Sequence, residues 1–415
     1  MKQKTNYFLV ILVIAIFAVI SFTTNIMGPI LPNIKKDLGL SATEESLMSA
    51  FFFIAYLFSI PMAMVAEKIG QKKVIMLSFF VASVGCLLIG GFATKIILMG
   101  CLFAVGLGIA TLQVVINPLL RAAGGVGNFA FFSIVAQIVF GLAAYMAPPV
   151  QRLIGNNIDS LQNSFLGVFI HSEYRWTPSY TVIALVFVLI ALFIGFIRLP
   201  SVQLASDEKT ASKNTYRDLL LSPKVWVFFF AIFCYVGVEQ GITLKLKEFL
   251  MTNHSYDEVQ AEGCISDFWG MLSAGCLLGL VLVKLMKEKL LLSFASIFAI
   301  IGLLVGLFGS KDLSYYGFVS VGLFLSVMWS INMSLGMSSV KAHQGALAGI
   351  LCSGIIGGSL FPLLIGGVID LTGGDYLVGM ACNLFPLAYI LFISFYAKPL
   401  VTNRIVKLSG LFDKQ

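Results

Sequence analysis

One carboxylate in an otherwise uncharged stretch is the first candidate for chemistry in this chain. Glu239 lies within residues 225–243, which contain no other charged residue. A charged side chain at the centre of a membrane-spanning helix costs about 3 kcal/mol on insertion scales, so one that is retained usually serves a function. Gln240 adds hydrogen-bonding groups, and Gly237 and Gly241 permit close approach of a helix or a ligand. The pattern indicates a site that binds a substrate or a proton.

Side-chain amides inside apolar stretches are the second group of candidates. One side-chain amide can form two hydrogen bonds to sugar hydroxyls, which suits a neutral polyol. The alternative is that these amides join helices within the membrane, at about 0.6 kcal/mol per bond. The candidates, besides Gln240, are Asn25, Gln113, Asn117, Gln137 and Asn332.

Two tryptophans and a second acid complete the candidate site. Trp269 and Trp329 lie well inside apolar segments and could stack on a sugar ring, although membrane tryptophans are often interface anchors. Asp267 is a second candidate for proton coupling, and its alternative is an acid at the water-exposed rim. No arginine falls at the centre of an apolar segment, which favours a neutral sugar over a carboxylated one.

Composition identifies the elements that must position these residues. Hydrophobic residues make up 59% of the chain and charged residues only 11%, with a mean hydropathy of +0.96. Soluble globular domains carry about 25% charged residues, so the low charge of this chain excludes a soluble globular domain. Apolar runs of the roughly 20 residues that a bilayer span requires recur throughout. Twelve are predicted: 7–31, 47–66, 74–92, 96–120, 129–150, 177–197, 225–246, 264–286, 290–309, 315–337, 346–369 and 377–397.

The distribution of positive charge predicts the orientation in the membrane. Of the 27 Lys and Arg residues, 19 fall in one set of alternate loops, and the net charge is +7. The positive-inside rule places those loops and both termini in the cytoplasm. The basic excess therefore reflects topology, and we predict no nucleic-acid partner. The first apolar segment is too long for a signal peptide and is followed by eleven more.

No pattern in the chain indicates covalent chemistry. The seven cysteines show no CxxC or metal-ligand spacing and read as small buried residues. Phosphate-binding loops, metal clusters and nucleophile motifs are absent from the sequence. We therefore predict no cofactor, no metal and no enzymatic activity.

The chain divides into two similar halves. We expect an all-α integral membrane protein with a six-helix bundle in residues 1–199, a cytoplasmic linker in 200–223 and a second six-helix bundle in 224–415. The halves share features at equivalent spans, such as Gly106 and Gly322 in spans four and ten. Six-plus-six repeats of this kind are typical of transporters that rock two bundles about a central site.

The loop after span two carries a recognisable motif. Residues 63–73 read A-M-V-A-E-K-I-G-Q-K-K. They resemble the signature G-x-x-x-D-x-x-G-R-[KR] of the major facilitator superfamily, with Glu67, Gly70 and Lys72 at matching positions and departures at Ala63 and Gln71. The resemblance implies a gating loop that stabilises one state of the carrier through charge pairs. The alternative is an ordinary basic loop.

Further stretches resemble the fucose/galactose/glucose:proton symporter branch of that superfamily. Residues 112–118 (L-Q-V-V-I-N-P) resemble L-E-x-x-x-N-P, and 233–239 (F-C-Y-V-G-V-E) resemble F-x-Y-V-G-A-[EQ]. Residues 135–137, 334–336 and 357–370 match further motifs of the branch. The fucose-transporting members carry Asp and Glu where this chain has Gly28 and Gln113, neither of which titrates. Proton coupling is then expected at Glu239 or Asp267, or is absent, and sodium coupling is left open.

These observations predict a secondary active transporter. The leading hypothesis is proton-coupled uptake of a neutral monosaccharide or amino sugar by a monomer in the bacterial inner membrane. The alternative is a proton-coupled exporter of drugs or metabolites from the same superfamily. A membrane-embedded enzyme or receptor would need a catalytic cluster or a sensing domain, and the sequence shows neither.

Overall fold

The computed structural model describes residues 5–92, 94–124, 129–171, 173–197, 213–339 and 344–398. Their regular structure is helical, with no strand in these ranges. Twelve helical spans are long and apolar enough to cross a membrane. The all-α, twelve-span fold predicted from the sequence is therefore confirmed.

The first six spans are formed by the first nine helices. They are α1 (Tyr7–Asn25), α2 (Met27–Leu38), α3 (Ala42–Ile54), α4 (Ser59–Ile69), α5 (Gln71–Gly91), α6 (Lys95–Gly124), α7 (Phe129–Asn156), α8 (Ile158–Gln162) and α9 (Thr177–Phe196). Helices α1 and α2 together form span one, and α3 and the start of α4 form span two. The segment between spans five and six holds the short helix α8.

The last six spans follow α10 (Lys213–Leu220). The helices of this part are α11 (Pro223–Thr243), α12 (Leu246–His254), α13 (Glu258–Leu285), α14 (Glu288–Phe308), α15 (Lys311–Leu325), α16 (Met328–Ser339), α17 (Gln344–Ser353), α18 (Gly357–Leu371), α19 (Tyr376–Ala381) and α20 (Leu384–Tyr396). Helix α12 lies between spans seven and eight, and span ten comprises α15 and α16.

Each half of the chain has its own hydrophobic core. One cluster of buried residues runs from Leu9 to Ile194 with Leu244 added, and the other runs from Leu219 to Ala397 with Ala42 and Ala144 added. We therefore propose the boundaries 1–199, 200–223 and 224–415 for the first bundle, the linker and the second bundle. Of this linker, the structure describes residues 213–223, which hold α10 and the start of α11.

Prolines account for two of the breaks within spans. A proline ring clashes with the carbonyl four residues earlier, which ends a regular helix there. Pro29 lies four residues after Asn25, where α1 ends, and Pro386 lies four residues after Cys382, in the gap between α19 and α20. The break in span one leaves Asn25 at a helix end inside the protein.

Glycines bring equivalent spans together in both halves. A Cβ atom added at Gly106 of span four would collide with backbone atoms of Phe52 in span two. At the equivalent place in the other half, a Cβ atom at Gly322 of span ten would collide with backbone atoms of Phe268 in span eight. The sequence repeat thus corresponds to a repeated helix contact.

Two pairs of spans make the most extensive contacts between the two halves. Span five meets span eight, where Gly141 faces the carbonyl oxygen of Trp269. Span two meets span eleven, where Ser359 donates a hydrogen bond of 3.2 Å to the carbonyl of Ala50. We call the end of the bundle opposite the start of α1 and the end of α20 the outer end, because the positive-inside rule predicts that it faces the outside.

The Gly106 contact gives a test of the packing. Gly106→Ala should lower the melting temperature in detergent by several degrees. Overpacking costs about 1–3 kcal/mol, more than the roughly 1 kcal/mol that alanine gains in helix propensity. The control is Gly100→Ala on the same helix, where an added Cβ meets nothing within 4 Å. An equal fall in both variants would contradict the contact.

Candidate functional site

Glu239 lies inside α11 and is held by groups of the same helix. Its side chain is buried, and its carboxylate accepts hydrogen bonds from Tyr235 Oη at 2.7 Å and from Gln240 Nε2 at 3.2 Å. Thr243 Oγ1 donates to the Glu239 carbonyl at 2.8 Å. Within the described ranges, no Lys, Arg or His lies within ion-pair distance of the carboxylate. A buried carboxylate without a counter-ion is a group that can take up a proton.

Asn25 offers an unpaired acceptor at the break in span one. Its Nδ2 donates to the Ser21 carbonyl at 2.9 Å and to Ser21 Oγ at 3.3 Å. Its Oδ1 is buried and has no donor among the described residues. Ser21 Oγ in turn donates to the carbonyl of Phe140 at 2.5 Å, which joins span one to span five.

A contact between spans one and seven places Asn25 and Glu239 at the same depth. A Cβ atom at Gly28 would lie 3.2 Å from the carbonyl oxygen of Thr243. Both spans run toward the outer end. Asn25 lies about one turn before Gly28, and Glu239 and Gln240 lie about one turn before Thr243. The two polar groups therefore lie at one level on adjacent helices.

Trp269 lies where the two halves meet. Its side chain is fully buried, and its ring centroid is 6.3 Å from that of Phe140 in the other half. Its indole N–H has no acceptor among the residues that the structure describes. Buried tryptophans usually place this N–H on a partner, so it is a donor available to a ligand.

Trp329 lies beside the Glu239 group. Its ring centroid is 5.8 Å from that of Tyr235, whose hydroxyl bonds Glu239. Asn332 follows about one turn later on α16 and is fully buried. Neither its oxygen nor its nitrogen has a hydrogen-bond partner in the described part of the chain. Since buried amides are normally paired, Asn332 is also a candidate for contact with a ligand.

The remaining predicted amides occupy different surroundings. Gln240 is buried, and its Cγ lies 3.2 Å from the position of a Cβ atom at Gly358 in span eleven. Gln113 and Gln137 are half-buried on α6 and α7. The side chain of Asn117 lies outside the described residues.

Asp267 has a hydrogen-bond partner outside the Glu239 group. Its carboxylate accepts a hydrogen bond of 2.7 Å from Tyr315 Oη of span ten. Both α13 and α15 begin at outer loops. Asp267 and Tyr315 each lie in the first half of their helix, and therefore in the outer half of their span. Asp267 is therefore bound within the second half, toward the outer end.

The predicted gating loop is described in part. Gly70 has φ +92°, a conformation that favours glycine, at the turn between α4 and α5. Lys72 Nζ donates to the carbonyls of Gly195 and Ile197, both at 2.8 Å, and so caps the end of α9 in the same half. The side chain of Glu67 lies outside the described residues.

A cluster of eight charged side chains at the outer end was not foreseen from the sequence. We call it the outer cluster, and it consists of Lys35, Glu45, Arg152, Lys245, Lys247, Glu248, Glu258 and Glu262. In the sequence its four bases look like ordinary loop charges. The structure instead buries Lys245 and Lys247, whose side chains are 1% and 2% exposed. The available signal was the density of charge in residues 245–262, which hold two lysines and four acids.

Comparison with known proteins yields a family and named relatives. The family model described as Major Facilitator Superfamily matches residues 13–362. A glucose/galactose transporter of Brucella abortus (strain 2308) is 26% identical over 406 residues, covering 95% of this chain and 94% of that protein. The L-fucose-proton symporter of Escherichia coli (strain K12) is 23% identical over 390 residues and covers 87% of each chain.

Solved structures agree on the fold. The transporter FucP in its outward conformation superimposes with a TM-score of 0.68 at 20% identity, covering 93% of this chain and 98% of that one. A bacterial homolog of the human lysosomal transporter Spinster, inward-facing and occupied, gives 0.72 at 17% identity, covering 94% and 95%.

Proposed function

The chain belongs to the Major Facilitator Superfamily, and on that premise we propose that it is a secondary active transporter coupling uptake of a neutral monosaccharide or amino sugar to protons. It works by alternating access, as a monomer in the bacterial inner membrane, with both termini in the cytoplasm. It catalyses no covalent reaction. The names of the sugar-transporting relatives support the substrate class.

The observation that carries the proposal is the composition of the buried site. Glu239 lies at the level of Asn25, and Trp329 lies against its partner Tyr235. The polar atoms without partners at Asn25 and Asn332 belong to amides, which match sugar hydroxyls. The described part of the site contains no cation that would pair with a carboxylated substrate.

Glu239 is the preferred coupling group. Asp267 is bonded to Tyr315 toward the outer end, whereas Glu239 lies at the level of the unpaired amides. Gly28 replaces the acid of the fucose-transporting members and lets span one approach Thr243 closely. A proton taken up with sugar neutralises the buried charge, which lets the loaded carrier reorient at lower cost. A sodium ion is the alternative coupling ion.

Uptake into proteoliposomes tests the function. A panel of radiolabelled neutral sugars is offered with an inward proton gradient, with a sodium gradient, and with neither. We expect at least one sugar to accumulate with the proton gradient alone. Dependence on sodium alone would overturn the coupling ion. Failure with every sugar, together with gradient-driven movement of drugs, would favour the exporter.

Glu239→Gln keeps the shape of the side chain and removes its titration. It should abolish gradient-driven accumulation, by more than about tenfold, while exchange of internal for external sugar continues. The reason is that the neutral side chain reorients without the cost of a buried charge but no longer takes up a proton with the sugar, so sugar movement is uncoupled from the gradient. Asp267→Asn is the matched control and should retain accumulation. A Gln variant that still concentrates sugar would make Glu239 a structural hydrogen-bonding group.

Asn332→Leu tests whether an unpaired amide serves the substrate. Removing a buried amide without partners should raise the melting temperature, because an unsatisfied polar group costs about 1–3 kcal/mol. The same variant should weaken apparent sugar affinity by about tenfold or more. The control is Ser83→Ala, which removes a buried 3.2 Å bond from span three to the Ala184 carbonyl of span six and should lower stability without changing affinity. Normal affinity in Asn332→Leu would remove this residue from the site.

A further inference from the structure

The outer cluster is electrically balanced and joins the two halves of the protein. Four bases face four acids, so its net charge is zero. The first half contributes Lys35, Glu45 and Arg152, and the second half contributes the other five. Every ion pair between the halves, within the described residues, belongs to this cluster.

Two of the pairs across the halves close the outer end at its centre. Lys245 of the second half bonds Glu45 of span two, and both side chains are almost completely buried. Lys35 of span one bonds Glu248 of α12 at 2.8 Å. Lys35 also donates to Tyr376 Oη at 2.6 Å, a further bond between the halves.

Each of these lysines also lies near a carboxylate of its own half. Lys35 Nζ is 3.9 Å from Glu45 Oε2, and Lys245 Nζ is 3.9 Å from Glu248 Oε2. The second oxygen of each carboxylate, Glu45 Oε1 and Glu248 Oε2, has no hydrogen-bond donor among the described residues. Each lysine therefore has a primary partner across the interface and a second acceptor within its own half.

We propose that these four side chains exchange partners when the outer end opens. In the closed form the pairs are Lys245–Glu45 and Lys35–Glu248, across the halves. In the open form they become Lys35–Glu45 and Lys245–Glu248, each within one half. The inference rests on the proposed alternating access.

The exchange avoids the main cost of opening a buried ion-pair gate. Separating a buried pair leaves an uncompensated charge, which is strongly destabilising. Each lysine nitrogen needs to move only about 1.1 Å to shorten its 3.9 Å approach to 2.8 Å, within the range of a flexible lysine side chain. No member of the four then lacks a partner in either form.

The surroundings favour the charged form of Glu248 and leave the rest of the cluster in place. Burial raises the pKa of Glu248, but the charges of Lys245 and Lys35 outweigh it and hold that pKa below its ordinary value. On opening, Glu262 would lose Arg152 but keep Lys247, which it bonds at 2.8 Å within its own half. The Arg152 side chain is 34% exposed, so water can replace its partner.

Paired neutral substitutions separate partner exchange from an ordinary latch. Glu45→Gln with Lys245→Met leaves only the cross-half pair Lys35–Glu248, whose members would both lose their partners on opening. Lys35→Met with Glu248→Gln likewise leaves only Lys245–Glu45. Both double variants should reduce the open population by at least about tenfold.

The complementary variants should act in the opposite direction. Lys35→Met with Glu45→Gln leaves Lys245 and Glu248 in one half, where they pair equally well in both forms. Lys245→Met with Glu248→Gln leaves Lys35 and Glu45 in the other half. Both should increase the open population. All four double variants keep the net charge and nearly the side-chain volume, and each class has two members, so one that misfolds leaves the other.

Spin labels on opposite halves measure the opening. Ser160 on α8 and Asn253 on α12 are exposed at the outer end and take the labels, in a chain whose native cysteines are replaced. Double electron–electron resonance then gives the fractions of short and long distances. If all four double variants favour the long distance, the pairs are ordinary latches and the exchange is wrong. Unchanged distances in all four would likewise overturn it.

Sugar uptake by the unlabelled chain keeps this result separate from the proposed function. Uptake together with unchanged distances in all four double variants would contradict the partner exchange but agree with the proposed transport function. Opposite distance shifts in the two classes of double variant, without uptake of any sugar, would contradict the proposed function but agree with the partner exchange.

Discussion

The scarcity of water inside the membrane is the constraint on which this structure depends. A charge in such surroundings needs a partner or a proton. The outer cluster meets the first requirement, since each of its members has an opposite charge within 4.0 Å. Glu239 has only neutral donors among the described residues. The protein therefore contains two kinds of buried charge. Those of the outer cluster have an opposite charge beside them, whereas the carboxylate of Glu239 has neutral donors and can take up a proton.

Helix breaks and glycine contacts make both arrangements possible. Pro29 ends α1 at Asn25 and leaves a polar group at a helix end in the interior. Gly28 then lets span one reach the backbone of Thr243, where α11 ends. Without these two features, spans one and seven would stand farther apart at the level of Glu239. The polar site thus depends on local backbone geometry as much as on its side chains.

Much of the fold could be predicted from the sequence, because long apolar runs in a bilayer must satisfy their backbone hydrogen bonds internally and therefore form membrane-spanning helices. The break at Asn25 has a local cause in Pro29, four residues later, but a proline alone does not predict a break, since Pro148 and Pro149 lie inside the continuous helix α7. The outer cluster could not be predicted. Lys245 and Glu45 are 200 residues apart, and nothing local distinguishes a buried lysine from one in a loop. The same limit applies to Asn332, whose missing partners become evident only when its neighbours are packed around it.

The two charged regions are joined by one short stretch of chain. Lys245 lies six positions after Glu239, roughly 9 Å along the chain at the rise of a helix. Thr243 lies between them, bonded to the Glu239 carbonyl and packed against Gly28. A displacement of the outer part of α11 would therefore act on both ends of this stretch, at Lys245 through its ion pairs and at Glu239 through its backbone. Because the stretch is short and mostly helical, the outer cluster and the buried carboxylate are mechanically linked without an intermediate element.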